Sequence, residues 1–452
     1  MPNDPLFPFQ REDVDYLADQ NSALIANDMG TGKTFEAIAR DLEMRDGQPG
    51  ATLVIAPLQA VYDVWLPHYR ELTSLKVVAV DPKQRDKTWA YWCAIAGDVY
   101  LVHWQALRLM PQLHEGIWLH VIADEVHYAK NRKAQQTRAL KAIKNVAIKT
   151  AMSGTPVINR PDELWSILNW LWPKRYTSYW KFFNRYVMTN NLYVRGRTVR
   201  QVIGPQNLDQ LHTEIKPFFV RRRKEDVLPD LPEKYYTPHH VDLLPVQRRA
   251  YDLMRKEMIA WIGSQEEEVL PAPVVIAQLT RLQQFAVAFA EYDETGRVRL
   301  TEPSSKLDAL MEVLSETEEP VVVFSRFKQL VNLAGDRLRA ADITHVTLTS
   351  DTPQQDRRTV VSRFQNGEVR VFIGSIGAGG VSITLTRSST VVFLDRDWSP
   401  ALNTQAEDRL HRYGQENAVQ VIDIIARRTV DQGKAQMLET KKSWIRQILG
   451  DE

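Results

Sequence analysis

Between the apolar run ALIA and the helical stretch FEAIARDL the chain carries NDMGTGKT, residues 27–34. A glycine-rich turn that opens a helix binds phosphate. Around Gly30 and Gly32 backbone N–H groups can wrap phosphate oxygens, and the helix N-terminus adds the positive end of its dipole. Lys33 then reaches the β- and γ-phosphates of a nucleotide, and the Thr34 hydroxyl can ligate Mg²⁺. The complete pattern G-x-x-x-x-G-K-S/T is not met, because Asn27 stands at its first glycine. A bare Gly-Lys-Thr arises by chance in roughly one chain in ten of this length. Its place between strand and helix makes the phosphate reading the stronger one.

About 90 residues after Lys33 the apolar run HVIA leads into DEVH, residues 124–127. An Asp at a strand end beside a phosphate loop can hold Mg²⁺, which is the role expected of Asp124. The adjacent Glu125 can orient or deprotonate an attacking water. An isolated Asp-Glu pair is more often a helix cap; the strand before this one and the loop upstream favour chemistry. His127 either relays the state of the γ-phosphate to SGTP (153–156) or is a satisfied polar residue at a strand end.

In QAEDRLHRYGQ (405–415), Arg409 and Arg412 stand at i and i+3, on one helical face. Two arginines far in sequence from the phosphate loop suit a two-domain nucleotide hydrolase, where closure brings positive charge to the γ-phosphate. The competing expectation is a surface helix in which Glu407 and Asp408 pair with the Arg and His beside them.

Elements must place these groups. ALIAND (23–28), TLVIAP (52–57), KVVAVD (76–81), VYLVHW (99–104), HVIADE (120–125) and KTAMSG (149–154) read as short buried strands, with helical patterns at 35–45 and 135–143. This alternation predicts a doubly wound α/β lobe over residues 1–161. Residues 162–303 read as a mostly helical, basic and aromatic insertion, with helices over 247–262 and 274–292 and a surface loop over 264–273. Strand patterns return at 320–325, 344–349, 369–375, 389–395 and 418–425, predicting a second α/β lobe over 304–452.

Composition bounds the rest. With 452 residues, 44% of them apolar, and 57 Lys and Arg against 56 Asp and Glu, the chain is ordinary folded protein of several domains. The single cysteine, Cys93, excludes an internal disulfide framework and a multi-cysteine zinc site. Neither a membrane-length apolar run nor a secretory leader is expected. The charge is uneven: residues 126–224 hold 20 Lys or Arg and four acids, Asp162, Glu163, Asp209 and Glu214. Such a block is a footprint for a polyanion. The ten aromatics from Trp165 to Tyr193 read as core.

In this order the segments resemble helicase superfamily two, and specifically the Swi/Snf family of ATP-driven double-stranded DNA translocases. Those segments are FQRED at Gln10, NDMGTGKT, VIAPLQAVYDVW (54–65), DEVHYAKN (124–131), SGTP, VVVFSRF (321–327), the run 363–386, VVFLDRDWSP (391–400) and QAEDRLHRYGQ. DMGTGKT, the H-x-x-K-N ending at Asn131, RRRKEDVLPDLPEK (221–234), SSKL (304–307) and W-S-P followed by H-R-Y-G-Q point to that family over other helicases. Departures are Ser382 and Ser399, where the family commonly has Gly and Asn, and Asn27, at a place often acidic.

The resemblance implies two recA-like lobes with ATP and Mg²⁺ between them and a DNA duplex across both. Gln10 would read the adenine edge. Met29, Gly30, Thr31, Gly32, Lys33, Thr34, Asp124 and Gly379 would hold the nucleotide, and Arg409 and Arg412 would act as arginine fingers. His103, Lys130, Asn131, Arg132, Lys133, Arg326 and Ser375 would meet DNA, while RRRK (221–224) would be structural. It further implies a monomeric motor core, targeted by a protein partner if at all and not tied to a membrane. Its location would be the cytoplasm or nucleoid of a bacterial or viral system, or a eukaryotic nucleus. The alternatives are a strand-separating DNA or RNA helicase and a catalytically silent nucleic-acid clamp.

Overall fold

A computed structural model describes residues 6–45, 48–81, 83, 97–157, 160–194, 197–264, 272–377 and 383–451. Cys93, Gly379, Ser382 and most of the loop expected over 264–273 lie outside these residues.

The first lobe is a parallel sheet built from β1 (Ser22–Ile25), β2 (Ala51–Ala56), β3 (Val77–Ala79), β4 (Val99–His103), β5 (Trp118–Ala123) and β6 (Val146–Met152). The insertion follows, with a hairpin of β7 (Val187–Val194) and β8 (Arg197–Pro205), then β9 (Phe219–Val220) and β10 (Lys234–Val241). A second hairpin, β11 (Phe289–Tyr292) with β12 (Val298–Thr301), leads to the second lobe. There β13 (Val321–Ser325), β14 (His345–Leu348), β15 (Val371–Ser375), β16 (Thr390–Phe393) and β17 (Val419–Ala426) form the sheet. The strand orders are β3-β4-β2-β5-β6-β1-β9 and β10-β17-β16-β13-β15-β14. Every described pairing within the two sheets is parallel. Helices cover both faces, as such sheets require, and each lobe has apolar packing on either side. The α/β reading with two parallel-sheet lobes therefore holds.

The insertion is less helical than its pattern suggests. Its two-residue strand β9 extends the first sheet beside β1, and β10 forms the edge of the second. Pro238 sits in β10, where an edge tolerates a residue with no N–H. The helix expected over 274–292 stops at Val287, and Phe289–Tyr292 turns into β11. Asp293 explains the turn: its carboxylate accepts from Thr295 N–H and Arg297 N–H, and Gly296 takes a left-handed φ of 75°. Pairing of Phe289–Tyr292 with β12 across this turn takes the end of a pattern that was continuous in the sequence.

The aromatic cluster is mainly core. Trp165, Trp170, Tyr176, Phe182 and Tyr186 are buried in the first lobe's larger apolar cluster, while Trp180 stays exposed. The last helix, Val430–Leu449, begins on the second lobe and ends in that same cluster through Ile448 and Leu449. Among the described residues no helix is long and apolar enough to cross a membrane.

Candidate active site

The loop after β1 is shaped by two glycines in the left-handed region, Gly30 (φ 83°) and Gly32 (φ 84°). At Gly32 space adds to the angle, since a Cβ would lie 2.4 Å from Gln10 Nε2; at Gly30 the angle alone selects glycine, and a Cβ there would make ordinary contact with Arg412 Cβ at 3.4 Å. The second contact matters most, because Arg412 belongs to the other lobe. Lys33 opens the helix Lys33–Arg45, and its ammonium donates to the carbonyls of Asn27 (2.8 Å) and Asp28 (2.9 Å). Thr31 closes the turn by donating its hydroxyl to Asp28 O at 2.8 Å. Thr34 lies in the first helical turn, half-buried, and Met29 packs against Gly154 of the SGTP segment.

Gln10 is 1% exposed. Its amide N–H donates to Thr31 O (2.7 Å), and its Oε1 accepts from Phe7 N–H (2.9 Å). The structure therefore gives Gln10 the work of holding the loop rather than facing open space. Sequence reasoning about a base edge could not foresee that engagement.

Asp124 and Glu125 follow β5. Trp65 donates its indole N–H to Asp124 Oδ2 and Trp104 donates to Asp124 O, each at 2.9 Å. Burial, aided by the neighbouring charge of Glu125, pushes the Asp124 carboxyl up to about 6. Such an anion in a low-dielectric place gains from a cation beside it. The Thr34 hydroxyl with this single carboxylate fits Mg²⁺, which takes one or two protein oxygens and completes its shell with water and phosphate. Glu125 has a left-handed backbone, φ 49°, a strained conformation for a residue with a Cβ. Burial would raise its carboxyl, but His127 and Lys33 hold it below the ordinary range. His127 Nδ1 lies 3.1 Å from Glu125 Oε2 and 3.1 Å from Ser153 Oγ, and Ser153 donates to the same carboxylate at 3.2 Å. Glu125, His127 and Ser153 thus form one hydrogen-bonded group that joins the end of β5 to SGTP.

From the second lobe come Arg412 and Arg409. Arg412 is largely desolvated against Gly30, which lowers its guanidinium from the usual range. Arg409 is 5% exposed, lies over the Phe324 ring at 5.3 Å, and is pushed down to about 10 by burial. The surface-helix alternative is overturned for this segment. Glu407 is buried against Arg396 (2.5 Å) and Lys234 (3.2 Å), and Asp408 against Lys224 (2.8 Å).

The RRRK run is stitched along the loop. Asp28 N–H donates to Arg222 O at 2.9 Å, and Arg222 N–H donates to Asn27 Oδ1 at 2.7 Å. Arg221 pairs with Asp28 (2.7 Å) and Asp451 (2.8 Å), while Lys224 donates to His411 O (2.8 Å) across the lobe boundary. Asn27 also donates to Asp13 (2.8 Å) and Glu36 (3.0 Å), so the unusual residue at the loop's start is a buried connector.

Of the residues expected at DNA, His103 and Ser375 end β4 and β15 and Arg326 follows β13, while Lys130, Asn131, Arg132 and Lys133 lie beyond β5, after the turn Val126–Ala129. His103 caps the helix Trp104–Leu109 by accepting from Ala106 N–H. Lys130 lies 3.5 Å from Glu163, and Arg132 lies over the Tyr179 ring at 4.3 Å. Asn131, Arg132 and Lys133 are exposed. Arg326 is drawn inward by Asp397 (3.3 Å) and Gln283 (3.3 Å), and Ser375 is buried, so in this conformation neither presents itself as the exposed loop does. Sequence reasoning missed Trp65, Trp104 and Lys224 as site residues. For the tryptophan at the end of VIAPLQAVYDVW the available signal was a large polar-edged ring just past a buried strand.

The SNF2-related domain matches residues 9–287, and the helicase conserved C-terminal domain matches residues 305–414. The putative ATP-dependent helicase/translocase YwqA of Bacillus subtilis is 29% identical over 99% of this chain and 49% of its own length. The transcription regulatory protein SNF2 of Saccharomyces cerevisiae is 27% identical over 91% of this chain and 25% of its own. The uncharacterized ATP-dependent helicase MG018 of Mycoplasma genitalium is 25% identical over 98% and 42%. The chain thus spans half or less of the curated relatives it matches. The SWI2/SNF2 ATPase core of Sulfolobus solfataricus, solved in complex with dsDNA, aligns over 98% of this chain and 92% of that one, with 23% identity and a TM-score of 0.45.

Proposed function

The chain belongs to the SNF2-related family, and on that premise we propose that it is an ATP-hydrolysing motor that moves along double-stranded DNA without separating the strands. Its work would be to displace or remodel protein or structure on the DNA. The observation that carries the reading is the meeting of both lobes at one loop, where Arg412 Cβ lies 3.4 Å from the position a Gly30 Cβ would take. A hydrolase that works by closure needs such a cation delivered from the second lobe.

In this reading the loop 29–34 wraps the phosphates and Lys33 turns from its carbonyl partners to them. Thr34 and Asp124 would hold Mg²⁺, which when bound neutralises charge on the phosphate oxygens. Glu125, kept ionised by His127, accepts a proton from the attacking water. Arg412 stabilises the charge that develops as the terminal phosphate leaves, and Arg409 braces the same segment from beneath. His127 and Ser153 pass the change to SGTP, and loss of the phosphate releases the lobes. The basic block, with Asn131, Arg132 and Lys133 exposed, suits a polyanionic track gripped through its phosphates.

The test is steady-state ATP hydrolysis with no nucleic acid, single-stranded DNA, duplex DNA and duplex RNA. Stimulation chiefly by duplex DNA, lost in Glu125→Gln, is the expected result. Stimulation by single strands or RNA would move the protein to the strand-separating class. No hydrolysis in any condition would favour a silent clamp.

A further inference from the structure

A polar group lies in the core of the first lobe, and the reaction drawn above does not use it. His120 of β5, Asp41 and Arg40 of the helix Lys33–Arg45, Thr52 of β2, Tyr69 of the helix Leu66–Leu72 and Thr150 of β6 are each at most 1% exposed. His120 Nδ1 lies 2.9 Å from Asp41 Oδ1, and its Nε2 lies 2.8 Å from Thr150 Oγ1. Burial would raise the Asp41 carboxyl, but His120, Thr52 and Arg45 hold it below the ordinary range, so it is a carboxylate and can only accept. Nδ1 therefore carries the proton. Burial lowers the imidazole, so Nε2 is bare and accepts from the Thr150 hydroxyl. The Thr150 oxygen in turn accepts from Arg40 Nε–H at 3.2 Å, while Asp41 takes two further hydroxyls, from Thr52 at 2.6 Å and Tyr69 at 3.0 Å. Each hydrogen bond fixes the direction of the next, which makes the group rigid.

The elements that His120 ties together are the ones that carry the hydrolytic groups. The helix opens with Lys33 and Thr34, β5 leads to Asp124 and Glu125, and β6 leads to Ser153. Elsewhere on this face the helix is held to the sheet by apolar packing, Ala37, Ile38, Val54 and Ile122 among it. Apolar contact has no direction and tolerates a small slide of the helix; hydrogen bonds at both nitrogens of one ring do not. Asp41 lies roughly 12 Å along the helix from Lys33, and His120 roughly 13 Å along the strand from Asp124, so neither touches the nucleotide. We propose that His120 is a positioning residue for hydrolysis: by bridging Asp41 and Thr150 it sets Lys33 and Thr34 against Asp124, Glu125 and Ser153 at the spacing the reaction needs. This rests on the ATPase reading above.

The experiment measures ATP hydrolysis on duplex DNA, the Kd for ATP and the urea midpoint. It compares wild type, Thr150→Val, Thr150→Ser, His120→Leu and the double variant His120→Leu/Thr150→Val. Thr150→Val keeps the shape and removes the hydroxyl. Its kcat should fall about tenfold with the Kd for ATP within about twofold, because small misplacement of reacting groups costs rate before it costs binding. Thr150→Ser, which keeps the hydroxyl, should stay within about twofold of the wild-type kcat. His120→Leu should lose about 10²-fold, and the double variant should be no slower, since both changes cut one bridge. A Thr150→Val enzyme with a lowered urea midpoint and wild-type kcat overturns the proposal, for the bridge then serves stability alone. Equal losses in Thr150→Val and Thr150→Ser also overturn it, and so does a weakened Kd with wild-type kcat. If His120→Leu does not fold, the two Thr150 variants decide. A wild type that hydrolyses no ATP overturns the ATPase reading and the positioning role together, whereas an active wild type with unaffected variants overturns the positioning role alone.

Discussion

Trp65 gives its indole N–H to Asp124 Oδ2 at 2.9 Å, from a π-helical turn, Val61–Trp65, in which Asp63 pairs with Arg358 of the other lobe. Such turns break the regular helix ladder and are common at functional sites. Here one turn joins an interlobe contact to the carboxylate expected to hold Mg²⁺. Trp65→Phe keeps most of the bulk and removes the donor. Hydrolysis should fall about 10–100-fold, and half-maximal activity should need more Mg²⁺. A Mg²⁺ titration of the variant checks both, and an unchanged midpoint would dismiss the link.

In the proposed reaction Arg412 supplies positive charge from the second lobe. Arg412→Ala should lower kcat by roughly 10³–10⁵ while changing nucleotide affinity far less. Single-turnover hydrolysis with a parallel binding measurement separates the two. A variant with near-normal turnover would remove Arg412 from the mechanism.

Lys224 fastens the segment after β9 to the second lobe, through Asp408 and His411 O, each at 2.8 Å. It is nearly fully buried, and its removal leaves Asp408 only the longer contact to Lys234 at 3.8 Å, at a cost of about 3 kcal/mol. Lys224→Met should therefore loosen the closed arrangement of the lobes. Small-angle X-ray scattering should show a larger radius of gyration than for wild type, and equal radii would count against the fastening role.

Glu407 sets a pH dependence. Burial alone would raise its carboxyl, yet the charges of Arg396 and Lys234 hold it down to about 2. Its folded value lies below its unfolded one, so its stabilisation is present above the ordinary carboxyl range and is lost as pH falls toward 2. Glu407→Gln should cost about 3–5 kcal/mol at pH 7, with the gap from wild type narrowing as the pH drops below 5. Denaturant midpoints of both proteins across pH 3–7 would show it, and a gap independent of pH would refute it.

Much of this was legible in the chain. Apolar runs at 52–57, 99–104, 120–125 and 320–325 fall on β2, β4, β5 and β13, because a strand buried on both faces writes itself as a continuous apolar segment. NDMGTGKT lies between β1 and the helix Lys33–Arg45, and DEVH follows β5, as their flanking apolar runs indicate. The limits are equally specific. β9 has only two residues, too few for a pattern, yet it carries Arg221–Lys224 to the phosphate loop. The apolar pattern ran on past the helix end at Val287 into β11, whose hairpin turn DETG is held by Asp293 accepting from two N–H groups.

The sequence by itself determined which groups could do chemistry and the α/β alternation that carries them, since both depend on residues near one another in the chain. Tertiary structure alone decided the rest: Arg412 against Gly30, Trp65 on Asp124, Lys224 across the lobes, and His120 with Asp41. These pairs are separated by tens to hundreds of residues, and such contacts follow from how packed elements pass one another. That packing is set by the burial of whole faces, which no short motif encodes.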